Sequence, residues 1–428
     1  MNSPNIGKDH KEDCPFHQKR SQIEKIGKEY QPFVSPQLQE PYLFYKRARK
    51  EGPIFYSSLL KGYVVTRYDD IISVLKDPTI FSSRDALQEI IEFTPETFEV
   101  LRQGFPFVPD LVNSDGDRHK LLRAPLQKVF APARIKNLSA SITAIANRLI
   151  DGFINDGKTD IITQFAYPLP LEVIFTLYGV PLEMIPDFKR WGYDNTKLVS
   201  SVLEPEEQVK CARSVVEMQY AIAKLIKEKR QAPQNDLISE LQDSELTIND
   251  MVIVLSGLII AGHKTTSHLI GNTLKILLEQ PTYWQAICED SSIIPGVLEE
   301  ALRYDATVPG MVRTTNEEVN ISGVKLPTNS KLFLMYASGN RDEDHYEDAQ
   351  KFNIQRFQNK SSDHLAFGHG VHRCIGSHLA LLEARIAFEL LSTRLRNPRI
   401  TSNQKLEYIP TLMTRGFKNL TIEWDMSL

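Results

Sequence analysis

The chain has 428 residues, 42% of them hydrophobic, and a formal net charge of −4. That length can bury an extensive core, and with no block of Lys or Arg the charge balance offers nucleic acid no electrostatic footprint. The cysteines, Cys14, Cys211, Cys288 and Cys374, stand far apart without a CxxC pair, which argues against a disulfide framework and for a reducing, cytoplasmic setting. Residues 1–30 read as a polar, loosely ordered tail, neither signal peptide nor anchor, and residues 31–428 as one unit. YLFYKRARKEG predicts a short helix closed by Gly52. PIFYSSLLKGYVVTRYDD predicts two strands about a turn, then a helix at Asp69. From Leu111 to Gln280 the pattern is mainly helical.

The clearest helix starts at Thr247, where Thr247 and Asp250 form a variant capping box. With no proline before Pro281 it extends about 33 residues, or about 50 Å. Its first half is apolar on nearly all faces, so it is expected to be buried. Its longest apolar run, Met251 to Gly262, is too short to span a bilayer. WGYDNTKLVSSVLEPEEQ is expected to join two helices of a lid. IPGVLEEALRYD predicts another helix, and VNISGVKLPTNSKLFLMYAS predicts strands and turns. An irregular stretch, NRDEDHYEDAQKFNIQRFQNKSSDH, follows. The last strong helix is placed from about Gly376 to Arg394, and the alternating tail LEYIPTLMTRGFKNLTIEW reads as strands. The fold class is mainly α with a smaller β portion.

The most informative stretch is FGHGVHRCIGSHLALLEARIAFELL. Gly368, Gly370 and Gly376 surround Cys374 and let the backbone bend close past a flat partner. The following helix offers free N–H groups and positive potential to a sulfur anion, which lowers the thiol pKa. From the residues alone, Cys374 also reads as a small buried hydrophobe. His369, His372, Cys374 and His378 suggest zinc, although no second ligand pair stands out. A c-type haem attachment needs CxxCH, which is absent.

The pattern F-G-x-G-x-H-x-C-x-G, filled by Phe367, Gly368, Gly370, His372, Cys374 and Gly376, resembles the haem-binding loop of cytochrome P450 monooxygenases. LEEALRY carries the family's E-x-x-R pair as Glu300 and Arg303. NRDEDHYEDAQKFNIQRF resembles the family's meander, with Arg356 completing a Glu–Arg–Arg cluster. DGDRHKLLR resembles the C-helix signature, and AGHKTT falls where the oxygen-activation motif belongs. The resemblance runs from about Tyr42 to the C-terminus and is closest to the bacterial type. It implies haem b between the long central helix and the helix after the cysteine loop.

The resemblance also implies roles. Cys374 is the axial thiolate on the iron. His119, Arg123, Arg313 and His372 hold the haem propionates, and Ala261, Phe367 and Gly376 complete the cofactor contacts. Glu300, Arg303 and Arg356 form a buried structural cluster. Leu258, Val308, Met311, Val312 and Leu412 line a pocket for a small apolar substrate. One oxygen atom of O₂ enters that substrate. Electrons come indirectly from NAD(P)H through a separate ferredoxin or flavodoxin and its reductase, because no GxGxxG after a strand and no iron–sulfur cysteine run occurs. A peroxide-driven enzyme and a non-catalytic haem sensor or carrier are the alternatives. Thr265 and Lys264 occupy the catalytic positions of the oxygen-side motif. Lys264 departs from the family, which usually has Asp or Glu before the threonine. An ammonium has no acceptor capacity, so it relays protons as a carboxylate does only if burial deprotonates it; Lys264 otherwise turns from the haem to pair with a carboxylate on the lid helices, Asp194 being one candidate, or directs a substrate carboxylate or another acceptor, or alters the oxygen chemistry, including peroxide use.

Overall fold

Thr247 sets the start of the longest helix. Its hydroxyl accepts from the Asp250 N–H while the Asp250 carboxylate accepts from the Thr247 N–H, a complete capping box. The helix runs Ile248–Glu279, 32 residues, or about 48 Å, and crosses the core. The computed structural model describes residues 15–86 and 93–426. This central helix packs against the helices Pro168–Tyr178, Pro205–Gln231, Ile294–Tyr304 and Ser377–Arg394. Most of its length is buried, from Met251–Leu255 through Leu269, Ile270 and Leu274. Its middle differs: Ala261 is exposed, and Gly257, Leu258 and Thr265 are half-buried. Accessibility in the middle of a helix sheathed by others marks an interior cleft.

The strands are β1 Ile54–Ser57, β2 Gly62–Val65, β3 Phe81–Ser82, β4 Lys158–Asp160, β5 Met311–Thr315, β6 Val319–Ile321, β7 Val324–Leu326, β8 Lys331–Leu334, β9 Arg396–Ile400 and β10 Thr421–Asp425. They form a sheet in the order β1-β2-β8-β5-β3, a sheet β4-β10-β9 and the hairpin β6-β7. β2 and β8 run parallel, pairing Tyr63 with Leu332 and Val65 with Leu334. β5 runs antiparallel to β8 and sets Arg313 opposite Leu332. The expected strand pair 54–65 and the helices at 41–51 and 294–304 are present, and 340–364 is irregular. Of the stretch expected to join two helices, 191–208, only residues 201–204 form the link, between the helices Ile185–Ser200 and Pro205–Gln231.

Three expectations need correction. The tail 1–30 is not loose throughout: Pro15–Glu29 is a helix, and Ile26 and Tyr30 are buried in the main core. Two apolar side chains on one face suffice to dock it against β1. Residues 1–14 lie outside the described residues. In the C-terminal tail only Thr421–Asp425 forms a strand, because only it finds partners on both sides; Tyr408 and Phe417 make a single bridge. β5 and β9 are strands that the sequence pattern did not single out. In β9, Pro398 sits between residues that pair with β10. No helix among the described residues is long and apolar enough to cross a membrane.

Candidate active site

The cysteine loop needs its glycines. Gly368 and Gly370 have φ of +67° and +72°, the left-handed region. A Cβ at Gly370 would also come within 2.5 Å of the Leu75 carbonyl oxygen. The Cys374 N–H closes the turn on the Phe367 carbonyl at 2.8 Å. The helix Ser377–Arg394 then starts with Gly376 as its cap. A Cβ built at Gly376 meets no protein atom within 4 Å, so the space beside the loop is open.

Cys374 is accessible, yet protein surrounds its sulfur closely enough that burial pushes the thiol pKa up. An accessible group with a buried environment faces an enclosed cleft. The Gly376 and Ser377 N–H groups and the guanidinium groups of Arg373 and Arg123 pull the pKa down, but burial outweighs them. The expected lowering by the helix terminus is thus present and overridden by desolvation. A thiolate here calls for a cation, which a coordinated metal supplies. Zinc is not indicated: among the described residues no group of three or more His, Cys, Asp or Glu side chains is placed to hold a metal ion.

The structure brings His119, Arg123, Arg313 and His372 together. The His119 and His372 rings lie 4.2 Å apart. The Nε2 atoms of both are buried without a hydrogen-bond partner. Arg313, on β5, is buried and bonded only to the Val312 carbonyl, at 2.8 Å. Arg123 Nη2 donates to the Arg373 carbonyl at 2.7 Å. Burial, with Arg313 and His119 next, depresses the His372 pKa to about 3. Burial and Arg123 depress that of His119. Among the described residues the carboxylate beside them is Asp115, whose Oδ1 lies 3.8 Å from His372 Nε2. Asp115 itself accepts from the Ser83 N–H at 2.9 Å and from the Ser82 hydroxyl. Sequence reasoning passed over Asp115, although its place before Gly116, with φ +53°, signals a helix start. Two orphaned imidazole nitrogens beside two guanidiniums make a receptor for carboxylates. The haem propionates fit it.

Glu300 and Arg303 are fully buried. Arg303 Nε and Nη2 donate to the two Glu300 oxygens at 2.7 and 2.8 Å. Arg356 Nε donates to Glu300 Oε1 at 3.2 Å. Arg303 also donates to the carbonyls of Asn340, Ala349 and Lys351 at 2.8, 2.8 and 2.9 Å. These bonds hold the irregular stretch that leads into the cysteine loop.

On the central helix, Thr265 Oγ1 donates to the Ala261 carbonyl at 2.7 Å. Lys264 is buried, and burial lowers its pKa to about 8. Asp194, a candidate partner for Lys264, accepts from the Ser214 hydroxyl at 2.6 Å. His263 and His268 flank Lys264, and sequence reasoning assigned neither. His263 Nε2 donates to the Tyr167 carbonyl at 3.0 Å, which leaves Nδ1 a bare acceptor. Burial holds both histidines near a pKa of about 3. They are neutral in the fold, whereas the unfolded chain takes up protons below about pH 6.5. The stability they allow at neutral pH is therefore lost as pH falls from about 6.5 toward 3, by about 1.4 kcal/mol per unit for each group. Urea-denaturation midpoints should fall less steeply between pH 7 and 5 in His263→Phe than in the parent. Equal slopes would show that these histidines do not set acid stability.

Leu258, Val312 and Leu412 pack in the main core, with Leu258 and Leu412 partly exposed, and Val308 is half-buried. Met311 does not join them. It packs in the second cluster, with Ile71, Leu334 and Tyr336. Adjacent strand residues point to opposite faces, so Met311 shares a side with Arg313 and Val312 does not.

The comparisons with known proteins agree with this geometry. The family profile described as Cytochrome P450 matches residues 292–405. Cytochrome P450 107B1 of Saccharopolyspora erythraea is 33% identical over 372 residues, covering 85% of this chain and 89% of that protein. Cytochrome P450 monooxygenase PikC of Streptomyces venezuelae is 31% identical, covering 90% and 91%. The crystal structure of the Tepidiphilus thermophilus P450 heme domain superposes with a TM-score of 0.88 at 31% identity, covering 94% and 98%. The chain belongs to the cytochrome P450 family and is a monooxygenase of that family.

Proposed function

We propose that the cleft holds haem b with Cys374 as the axial thiolate, and that the enzyme inserts one atom of O₂ into a small, largely apolar substrate. The observation that carries this reading is an accessible cysteine in an enclosed cleft beside buried, partnerless His119 and His372 nitrogens. His119, His372, Arg313 and Arg123 bind the two propionates and offset their charge. Phe367, Gly376 and Ala261 border the ring space. When bound, haem with a thiolate ligand supplies the activation of O₂. Leu258, Val308, Val312 and Leu412 exclude water and orient the substrate by shape. Electrons come from NAD(P)H through a separate ferredoxin or flavodoxin and its reductase. Residues 31–428, with the helix before them, serve as one catalytic domain in the cytoplasm.

The test is turnover of the haem-loaded protein. NAD(P)H, reductase, ferredoxin or flavodoxin and O₂ should oxidise a substrate that shifts the Soret band. Turnover with peroxide alone would replace the electron-transfer reading. No turnover under either regime would leave a haem carrier.

Thr265 holds and passes a proton through Oγ1, with the Ala261 carbonyl fixing its direction. Lys264 contributes in its neutral form, since only a free amine accepts a proton. With a pKa of about 8, its neutral fraction rises about tenfold between pH 7 and 9. NAD(P)H-driven turnover should rise with it, with a midpoint about pH 8. In Lys264→Glu that limb should vanish and coupling of electrons to product should improve. A parent-like pH profile in Lys264→Glu would remove Lys264 from proton handling.

A further inference from the structure

The loop before the helix Gly116–Val129 carries a carboxylate with one oxygen more than the loop needs. Asp110 Oδ1 accepts the N–H groups of Val112 and Asn113 at 2.9 and 3.3 Å, and its own N–H donates to Asn113 Oδ1 at 2.7 Å. That turn uses a single side-chain oxygen and would be served equally by Asn. Oδ2 is left over. It lies where a Cβ at Gly257 would be only 3.2 Å away, so the missing side chain at 257 is what admits it. Gly257, Ala261 and Thr265 are spaced four apart and share one face of the central helix. All three are accessible to some degree inside the cleft. The carboxylate therefore sits on the wall of the substrate side, up the helix from the reacting end.

The position is fixed. Pro106 and Pro109 stiffen the loop. Asn249 Nδ2 donates to the Pro106 carbonyl at 3.1 Å, and Arg118 Nη2 donates to the Pro109 carbonyl at 3.1 Å and to Asp250 at 2.6 Å. Yet no Lys, Arg or His among the described residues pairs with Asp110: of the two arginines nearest in sequence, Arg118 is spent on Asp250 and Arg102 is exposed. Burial pushes the Asp110 pKa up against the pull of its two N–H bonds. A carboxylate held in a mostly apolar cleft without a counter-ion is a cost to the free protein, and a cationic ligand removes it.

We propose that Asp110 anchors a cationic nitrogen of the substrate, so that the natural substrate is an apolar molecule bearing one ammonium group. This rests on the monooxygenase reading above. The helix rise of 1.5 Å per residue sets Ala261 about 6 Å and Thr265 about 12 Å beyond Gly257. The oxidised carbon accordingly lies about 6–12 Å from that nitrogen. Asp110 is a positioning residue for selectivity; at about 12 Å from Thr265 it is too distant to exchange a proton with it directly.

The experiment uses the haem-loaded protein and two probes of equal shape: decyltrimethylammonium, and the hydrocarbon in which carbon replaces its nitrogen. A quaternary nitrogen has no lone pair, so it cannot ligate iron. Dissociation constants come from the Soret shift. The parent should prefer the cation at least about tenfold. In Asp110→Asn, which keeps Oδ1 for the turn, that preference should fall to within about threefold of unity. Asp110→Ser takes its place if the amide variant does not retain haem. No preference in the parent, or a preference that survives loss of the carboxylate, overturns the proposal. A neutral probe that shifts the Soret band while the cation does not overturns it too and leaves the monooxygenase reading intact. A protein that takes up no haem brings down both.

Discussion

Cys374→Ala is expected to lose the thiolate absorption band of the reduced carbon monoxide complex and to turn over at background rate. The fold of the loop should survive, because its closing bond is the backbone N–H of residue 374 to the Phe367 carbonyl, at 2.8 Å. The carboxylate receptor of His119, His372, Arg313 and Arg123 is also untouched. The variant should therefore still take up haem, more weakly, with an altered spectrum. That combination separates ligation from folding. Cys374→Ser keeps the size of the side chain and exchanges sulfur for a poor donor, and should behave like the alanine variant in turnover. Retention of the thiolate band in either variant would mean that another sulfur ligates the iron. Cys14, buried Cys211 and exposed Cys288 would then need to be tested in turn.

Glu300→Gln should cost about 3–5 kcal/mol of stability. The change is nearly isosteric, but among the described residues it removes the only charge paired with Arg303, which is wholly buried and cannot turn to water. Arg356 loses the same partner. The Asn353 N–H, which donates to Glu300 Oε1 at 2.9 Å, keeps an acceptor. The loss therefore combines the missing charge with one hydrogen bond, because the amide nitrogen would face the Arg303 Nε–H that Oε2 accepts at 2.7 Å. A fall in the urea midpoint and in haem content should appear together, since Arg303 also ties down the carbonyls of residues 340, 349 and 351. Arg303→Met should be at least as damaging, because it orphans those carbonyls as well as Glu300. In the double variant the two losses should not add, as expected for groups in direct contact. A cost below about 1 kcal/mol for Glu300→Gln would show the ion pair to be near break-even against its desolvation.

What the sequence made legible was local chemistry. A threonine and an aspartate three apart announced the central helix, because the bonds they make lie within one turn. The cysteine loop was readable because positive φ selects glycine. The pairing of Glu300 with Arg303 was legible through the resemblance to the family's E-x-x-R pair, and its three-residue helical spacing lets the two side chains meet. What stayed hidden depends on distant partners. β9 contains a proline and would be dismissed without β10 beside it. The helix Pro15–Glu29 is polar by composition and is fixed by a few contacts to β1. The place of Asp110 over Gly257 joins residues 147 apart in sequence, and the net rise of the Cys374 pKa depends on how closely the finished fold surrounds it. Met311 and Val312 were grouped in one pocket; once 311–315 is a strand, alternation sets their side chains on opposite faces.

The strand pairings also order events during synthesis. β10, Thr421–Asp425, lies between β4 and β9, and β4 is the stretch Lys158–Asp160. β8 closes on β2, whose residues are made some 270 positions earlier. Closing such spans costs loop entropy before any contact repays it. The growing chain thus exposes Cys374 and its loop before the last strand has left the ribosome. Until then the edges of β4 and β9 are open to pairing with other chains. A truncation before Thr421 would therefore leave β4 and β9 without the strand that joins them.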